Sequence, residues 1–207
     1  MSEYLRMDLQ PAFLIHRRTF RESSAILEVF SRDHGRIGMV ARGANRPRSS
    51  LRAALIPFAP LLMSWSGRGE LATLRSVELA ASPCMLIGNA LLSAMYLNEL
   101  VMRLTHRHDA HPDLFDAYNE AIIALATNAV LEQTLRIFEK RVLESIGYGL
   151  ILEFEADGGE AVCANQRYHY IADRGPTQDL QLAGESVEVS GHTLLTLAAE
   201  QPLGPLE

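Results

Sequence analysis

The stretch from Gly35 to Gly69 holds six arginines, Arg36, Arg42, Arg46, Arg48, Arg52 and Arg68, and no Asp or Glu; the nearest acids are Asp33 and Glu70. An arginine presents a planar fork of N–H donors that can grip two phosphate oxygens and can lie flat on a base. Every cation of the stretch is of this kind, because Lys140 is the only lysine in the chain. The chemistry implied is phosphate binding. Gly43-Ala44-Asn45-Arg46-Pro47-Arg48-Ser49-Ser50 reads as a loop from which Arg46 and Arg48 project. A second cationic group is Arg136, Lys140 and Arg141. Arg136 and Lys140 are four apart and share a helical face, with Leu135, Phe138 and Val142 supplying apolar surface nearby. A basic rim over an apolar floor suits a short acidic peptide that ends in a hydrophobic residue and a carboxylate. The alternative is pairing of these cations with Glu132, Glu139 or Glu144 on the same helix.

The charge distribution sharpens the first reading. The chain of 207 residues carries a formal net charge of -6. Residues 1–85 hold 12 arginines against 7 acids, a net +5, while residues 86–207 hold 7 basic residues against 18 acids, a net -11. Such asymmetry points to a polyanion-binding end and a differently employed remainder.

The patterns that would carry catalysis are missing. A P-loop needs a Lys after its second glycine, and there is no Gly-x-Ser-x-Gly elbow and no His-Glu-x-x-His. His106-Arg107-His108-Asp109-Ala110-His111 has metal-ligand residue types, but the interleaved Arg107 and the position between two helices suggest a solvated connection. Cys84 and Cys163 are the only cysteines, so reduced cytosolic thiols are expected and a structural zinc site is not. The N-terminal MSEYLRMDLQ lacks the apolar run of a signal peptide, and the apolar region near Leu91–Leu104 is too interrupted to span a membrane. No catalytic residue, metal or cofactor is expected.

The positioning elements fall into two kinds. Residues 1–82 read as five short strands: Ala12–His16, Ser24–Ser31, Arg36–Arg42, Leu55–Ser66 and Glu70–Leu79, with one longer connection near residues 43–54. That pattern predicts a small Greek-key barrel of the OB type, which binds oligonucleotides across one face and its loops. Phe13, Phe20, Phe58 and Trp65 are candidates either for base stacking or for the small core, where aromatics dominate. Residues 83–150 read as three amphipathic helices, the first after Pro83, the second opened by Pro112, the third spanning about Val130–Ile146 and stopped by Gly147-Tyr148-Gly149. Residues 151–189 read as a small β-containing module with strands at Arg167–Ile171 and Ser186–Val189, and residues 190–207 begin a further helical segment. The fold class expected is α+β, a five-stranded OB-type barrel followed by a helical domain with a small β-containing insertion.

The order and spacing of several motifs resemble the RecO family of bacterial recombination mediators. They are Arg17 with Glu22-Ser23, Ala41-Arg42-Gly43-Ala44 followed by Arg48, Pro57-Phe58, and Gly67-Arg68-Gly69-Glu70-Leu71. The series continues through Tyr96-Leu97-Asn98-Glu99-Leu100, Leu114-Phe115, and Phe138-Glu139 before Gly147-Tyr148-Gly149. The resemblance implies a non-enzymatic cytoplasmic DNA-repair protein that binds single- and double-stranded DNA and anneals complementary strands. It also implies partnership with RecR, contact with the tail of single-strand-binding protein, and help in loading RecA. Arg17, Arg36, Arg42, Arg46, Arg48, Arg52 and Arg68 are the expected DNA contacts; Leu135, Arg136, Phe138, Lys140 and Arg141 are the expected tail site. Two departures stand out. Some members carry a four-cysteine zinc module after the helices, where this chain has only Cys163, and members continue through further C-terminal helices, whereas this chain stops at Pro205-Leu206-Glu207. The rival expectation is an interaction adaptor whose acidic helical domain is the main functional surface.

Overall fold

The computed structural model describes residues 6–67, 70–127, 130–179 and 185–201. The chain divides into two compact units, the first ending at Leu131 and the second beginning at Glu132.

The first unit is a barrel with helices packed on it. Its strands are β1 (Arg6–Phe20), β2 (Ser24–Ser31), β3 (Gly35–Ala41), β4 (Leu61–Ser66) and β5 (Ala72–Leu79). They close in the order β1-β2-β3-β5-β4, with β3 and β5 parallel and the other pairs antiparallel. This is the OB topology expected from the sequence. Strand alternation sends one set of side chains inward, among them Leu14, Leu27, Val29, Ile37, Met39, Met63 and Trp65. β1 is far longer than the expected Ala12–His16. Its polar half pairs through Arg17↔Leu27 and Phe20↔Ser24, so cross-strand hydrogen bonding overrides the lack of apolar residues there. The expected strand over Leu55–Ser66 begins only at Leu61, after Pro57 and Pro60, because proline has no N–H to give a ladder. The connection after β3 contains a short helix, α1 (Ser50–Ala54).

Much of the outer face of β1–β2–β3 is covered. It lies under α2 (Asn89–Leu104) and α3 (Pro112–Ala126). Phe13 and Phe30 pack against Phe115 and Tyr118 at centroid distances of 4.9–6.2 Å. Asn98 joins the layers: its Nδ2 donates to the Ile15 carbonyl at 2.9 Å and its Oδ1 accepts from the Tyr118 hydroxyl at 2.6 Å. Burial pushes the Tyr118 phenol far up, so it stays a donor. Pro112 opens α3 as expected, its missing N–H costing nothing in the first turn. α2 begins at Asn89, six residues after Pro83, which stands outside it.

The α2–α3 connection is the main surprise. Arg107, read from sequence as part of a solvated link, grips Glu28 with both prongs, Nε to Oε1 at 3.0 Å and Nη2 to Oε2 at 2.6 Å. Glu28 stands on the outer face of β2 and is only 7% exposed. Arg36 on β3 approaches the same carboxylate at 3.6 Å and donates to the Met102 carbonyl. The His108 N–H donates to the Arg36 carbonyl at 3.0 Å, so the connection pairs with the start of β3, ahead of Met39 and Val40 where β5 pairs with it. Gly35 makes the approach possible: a Cβ there would lie 2.0 Å from the Asp109 carbonyl oxygen, and its φ is +65°.

The second unit holds α4 (Leu131–Ser145), a three-stranded sheet and α5 (Gly191–Ala198). The sheet is ordered β7 (Gly175–Thr177), β6 (Arg167–Ile171), β8 (Val187–Ser190). α4 ends as expected at Gly147, where the Tyr148 N–H donates to the Leu143 carbonyl at 2.8 Å. β7 went unforeseen, because Gly175-Pro176-Thr177 has no alternation to read. This module is centred on Tyr168, fully buried, whose hydroxyl accepts the Cys163 N–H at 2.9 Å. Gly191 leaves the space for that turn; a Cβ would sit 2.0 Å from the Cys163 carbonyl oxygen. Here a tyrosine anchor and close backbone packing hold the loop.

Removing one partner of a buried ion pair strands the others without compensation. Glu28→Ala should therefore destabilise the protein by about 3–5 kcal/mol. The check is the midpoint of urea unfolding. Arg32→Ala, which breaks the exposed pair with Asp116, is the control and should cost less than ~1 kcal/mol.

Candidate nucleic-acid interface

One end of the barrel carries the arginines. The connection from β3 to α1 leaves at Arg42 and folds back onto the turn between β1 and β2. Asn45 fixes it there: its N–H donates to the Ser23 carbonyl at 3.0 Å and its Nδ2 to the Ser24 carbonyl at 2.6 Å. Arg17 of β1 supports it, donating to Asn45 Oδ1 at 2.8 Å and to the Ala44 carbonyl at 3.3 Å. Ala44 itself is buried in the barrel core. A loop that looks unstructured in sequence is therefore tied down at its middle.

The tethering leaves the cations free. Arg42, Arg46, Arg48 and Arg52 are all exposed, and none makes a side-chain hydrogen bond or ion pair among the described residues. Arg42, Arg46 and Arg48 line an open depression of about 650 Å³ together with Ser49 and Ser50. Arg17 and Arg52 line a second, of about 430 Å³, with Thr19, Glu22 and Asn45. Arg46 packs over Gly43, its guanidinium carbon 3.9 Å from where a Cβ would stand. Exposed guanidinium groups with adjacent hydroxyls form a surface that favours anionic oxygens at several points at once.

The expected contacts therefore separate. Arg42, Arg46 and Arg48 share one depression, and Arg52 shares the other with Arg17, which also braces the loop. Arg36 does not join them; Glu28 and the Met102 carbonyl take it up, and burial holds its guanidinium below the usual range. Arg68 lies outside the described residues. Two further exposed arginines at this end, Arg18 and Arg21, were not singled out from sequence. The signal was the Arg17-Arg18-x-x-Arg21 run itself, which reads as polar filler until the hairpin turns it beside Asn45. Of the aromatic candidates, Phe13 lies under the helices, Trp65 lies in the barrel core, and Phe58 is buried. Only Phe20 is half-buried, at the hairpin tip. Much of the outer face of β2–β3, the usual oligonucleotide face of such barrels, is covered by α3, the end of α2 and the connection between them.

The cations of α4 are each engaged. Arg136 pairs with Glu139 on its own helix. Lys140 reaches Glu144 at 3.1 Å and Glu200, just past α5, at 3.0 Å. Arg141 grips the same Glu200 with Nε at 3.2 Å and Nη2 at 2.6 Å. The sequence alternative of pairing along the helix holds for Arg136 and Lys140; Glu200 was not foreseen, since it is 60 residues from Lys140. Leu135 is half-buried, whereas Phe138 is closed to solvent. No described group of three or more His, Cys, Asp or Glu could hold a metal ion, and no described helix is long and apolar enough to cross a membrane.

The fold and this interface define an OB-barrel protein with a helical cover and a cationic barrel end. Comparison with known proteins agrees with that class. The model of the Recombination protein O N-terminal family matches residues 5–83, and that of the Recombination protein O C-terminal family matches residues 87–204. The chain is 47% identical over 201 residues to the DNA repair protein RecO of Aromatoleum aromaticum, covering 96% of this chain and 82% of that protein. It is 48% identical over 193 residues to the DNA repair protein RecO of Methylococcus capsulatus, covering 93% and 78%. The chain belongs to the recombination protein O family.

The Glu200 pairing generates a pH prediction. The Arg141 hydrogen bond, and then Lys140, hold the Glu200 carboxyl below its ordinary range. A group depressed in the folded state stabilises above its unfolded pKa and loses that contribution as pH falls through the folded pKa. The Tm difference between wild type and Glu200→Gln should therefore be present at neutral pH and vanish in acid. A Tm series read by circular dichroism from pH 7 down checks it; a difference that persists unchanged at the acid end would place the stabilisation elsewhere.

Proposed function

We infer that this protein is a cytoplasmic DNA-repair and recombination mediator. It binds single- and double-stranded DNA through the barrel end and anneals complementary strands without catalytic groups of its own. With RecR it helps load RecA onto DNA coated with single-strand-binding protein. The observation that carries the reading is the set of Arg42, Arg46, Arg48 and Arg52, exposed and without ion pairs among the described residues. In a chain of net charge -6, exposed cations without ion pairs among the described residues favour a polyanionic partner. Family membership supports the repair role, since the relatives bear the name DNA repair protein. Annealing needs the mutual repulsion of two backbones reduced while bases stay accessible, and a tethered arginine loop does the first of these.

Four phosphate contacts give a slope of log K against log salt of about -3 to -4. Replacing Arg46 and Arg48 together by Ala should flatten the slope by about one and a half to two, for any DNA sequence. Filter binding at several salt concentrations measures it. An unchanged slope in the double variant would move the DNA surface elsewhere.

The second surface proposed is α4, as a site for the acidic tail of single-strand-binding protein. What favours it is that Lys140 and Arg141 already hold one carboxylate, that of Glu200, in a geometry a peptide carboxylate could copy. The alternative reading, an interaction adaptor, makes the acidic helical domain the main functional surface instead. Arg136 is bound within its helix and contributes least. Anisotropy of a labelled tail peptide should show much weaker binding to Lys140→Ala and Arg141→Ala than to wild type, with Arg136→Ala close to wild type. Equal binding by all four proteins would exclude this face.

A further inference from the structure

The tip of the β1–β2 hairpin holds a pair that phosphate binding does not use. Phe20 ends β1 opposite Ser24, and Arg21, Glu22 and Ser23 make the turn. Phe20 is half-buried and stands outside the barrel core cluster, so part of its ring is open to solvent. The Arg21 guanidinium lies over its ring, 5.2 Å from the centroid. Arg21 takes φ of +54°, a left-handed conformation that a glycine or asparagine would adopt with less strain. The chain thus keeps an arginine on a strained residue, stacked on an aromatic ring, at an exposed tip. Arg18 is exposed two residues before Phe20, on the same side of the strand by alternation. Asn45 bonds to both Ser23 and Ser24, so this tip touches the loop that carries Arg46 and Arg48.

A ring with a guanidinium over it presents the outer face of the guanidinium, and the ring itself once the mobile arginine swings aside, beside a row of phosphate-binding cations. An unpaired base can stack there, and every base has such a face, so the contact is indifferent to sequence. A base inside a duplex has no free face to offer. Glu22, in the depression shared with Arg17 and Arg52, lowers the local positive charge and so weakens pure phosphate binding at that spot. The geometry points to Phe20 and Arg21 as a stacking platform for an unpaired base, which gives the barrel end its preference for single strands over a bare polyanion. This rests on the DNA-binding reading above and assigns the tip its own share of it.

The test compares three probes on the full chain: a 20-nucleotide oligo-dT, the same backbone with abasic sites throughout, and a 20-base-pair duplex. Wild type should bind oligo-dT more tightly than the abasic strand. Phe20→Leu keeps apolar volume and loses the ring; it should weaken oligo-dT binding by about 5- to 150-fold, the span measured for one stacked base. Its binding to the abasic strand and to the duplex should be unchanged. Arg21→Lys keeps the charge and loses the flat fork; it should weaken oligo-dT binding while sparing the abasic strand, which a phosphate contact would not do. Arg21→Gly relieves the backbone and should raise Tm while lowering oligo-dT affinity, opposite signs that a purely structural staple cannot produce. The double Arg46→Ala, Arg48→Ala variant should weaken all three probes together. If Phe20→Leu and Arg21→Lys bind oligo-dT as wild type does, or lose oligo-dT and the abasic strand equally, the platform is refuted and the DNA reading stands. If wild type binds none of the three probes, both readings fall.

Discussion

The contact on which the first unit depends is the one between Glu28 and two guanidinium groups. A carboxylate on the outer face of a barrel strand, closed off from water, is tolerated only where its charge is compensated. Arg107 supplies a two-pronged grip, and that hydrogen bond raises its own pKa further above the ordinary value. Arg36 stands behind it, held also by a helix carbonyl. The three residues come from β2, β3 and the α2–α3 connection, so one ion cluster fixes where two helices can lie on the barrel. Phe13, Phe30, Phe115 and Tyr118 fill the layer beneath, and Asn98 satisfies the backbone oxygen that the packing would otherwise strand.

That cover has a functional consequence. Much of the face that OB barrels commonly offer to oligonucleotides is occupied by the chain's own helices. Positive charge therefore has to be presented at an end, where the β1–β2 turn meets the β3–α1 connection. Asn45 is the small part that makes this work. Its two donors close two carbonyls of the neighbouring turn, which holds the arginine loop in shape without using any arginine's charge. Arg17 is the exception, spending its Nη2 on that loop. The result is a fixed backbone carrying side chains with no internal counter-ions among the described residues, the arrangement a polyanion can exploit without first breaking salt bridges.

The second unit handles its cations in the opposite way. Lys140 and Arg141 converge on Glu200, and Arg136 on Glu139. Burial acts to lower the Lys140 pKa, and the hydrogen bonds to Glu200 and Glu144 outweigh it, so the ammonium is held charged. Any carboxylate that docks there meets a resident one. The small sheet is organised around the buried Tyr168 and the close approach of Gly191 to Cys163.

Sequence by itself determined the barrel, the helices and the cationic loop. Period-two and helical spacing are local properties, and a loop of small residues with Arg46 and Arg48 has few ways to hide its charge. The opening of α3 at Pro112 and the stop of α4 at Gly147 were legible for the same reason, since each rests on one residue's own backbone preference. Tertiary structure decided which charges are free. Arg36 and Arg48 are twelve residues apart and look alike in sequence, yet a carboxylate on β2 claims one and nothing described claims the other. Arg107 and Glu28 are 79 residues apart, and Lys140 and Glu200 are 60 apart. No spacing rule reaches that far, because an ion pair depends on where the fold brings two charges together and how much water it leaves between them.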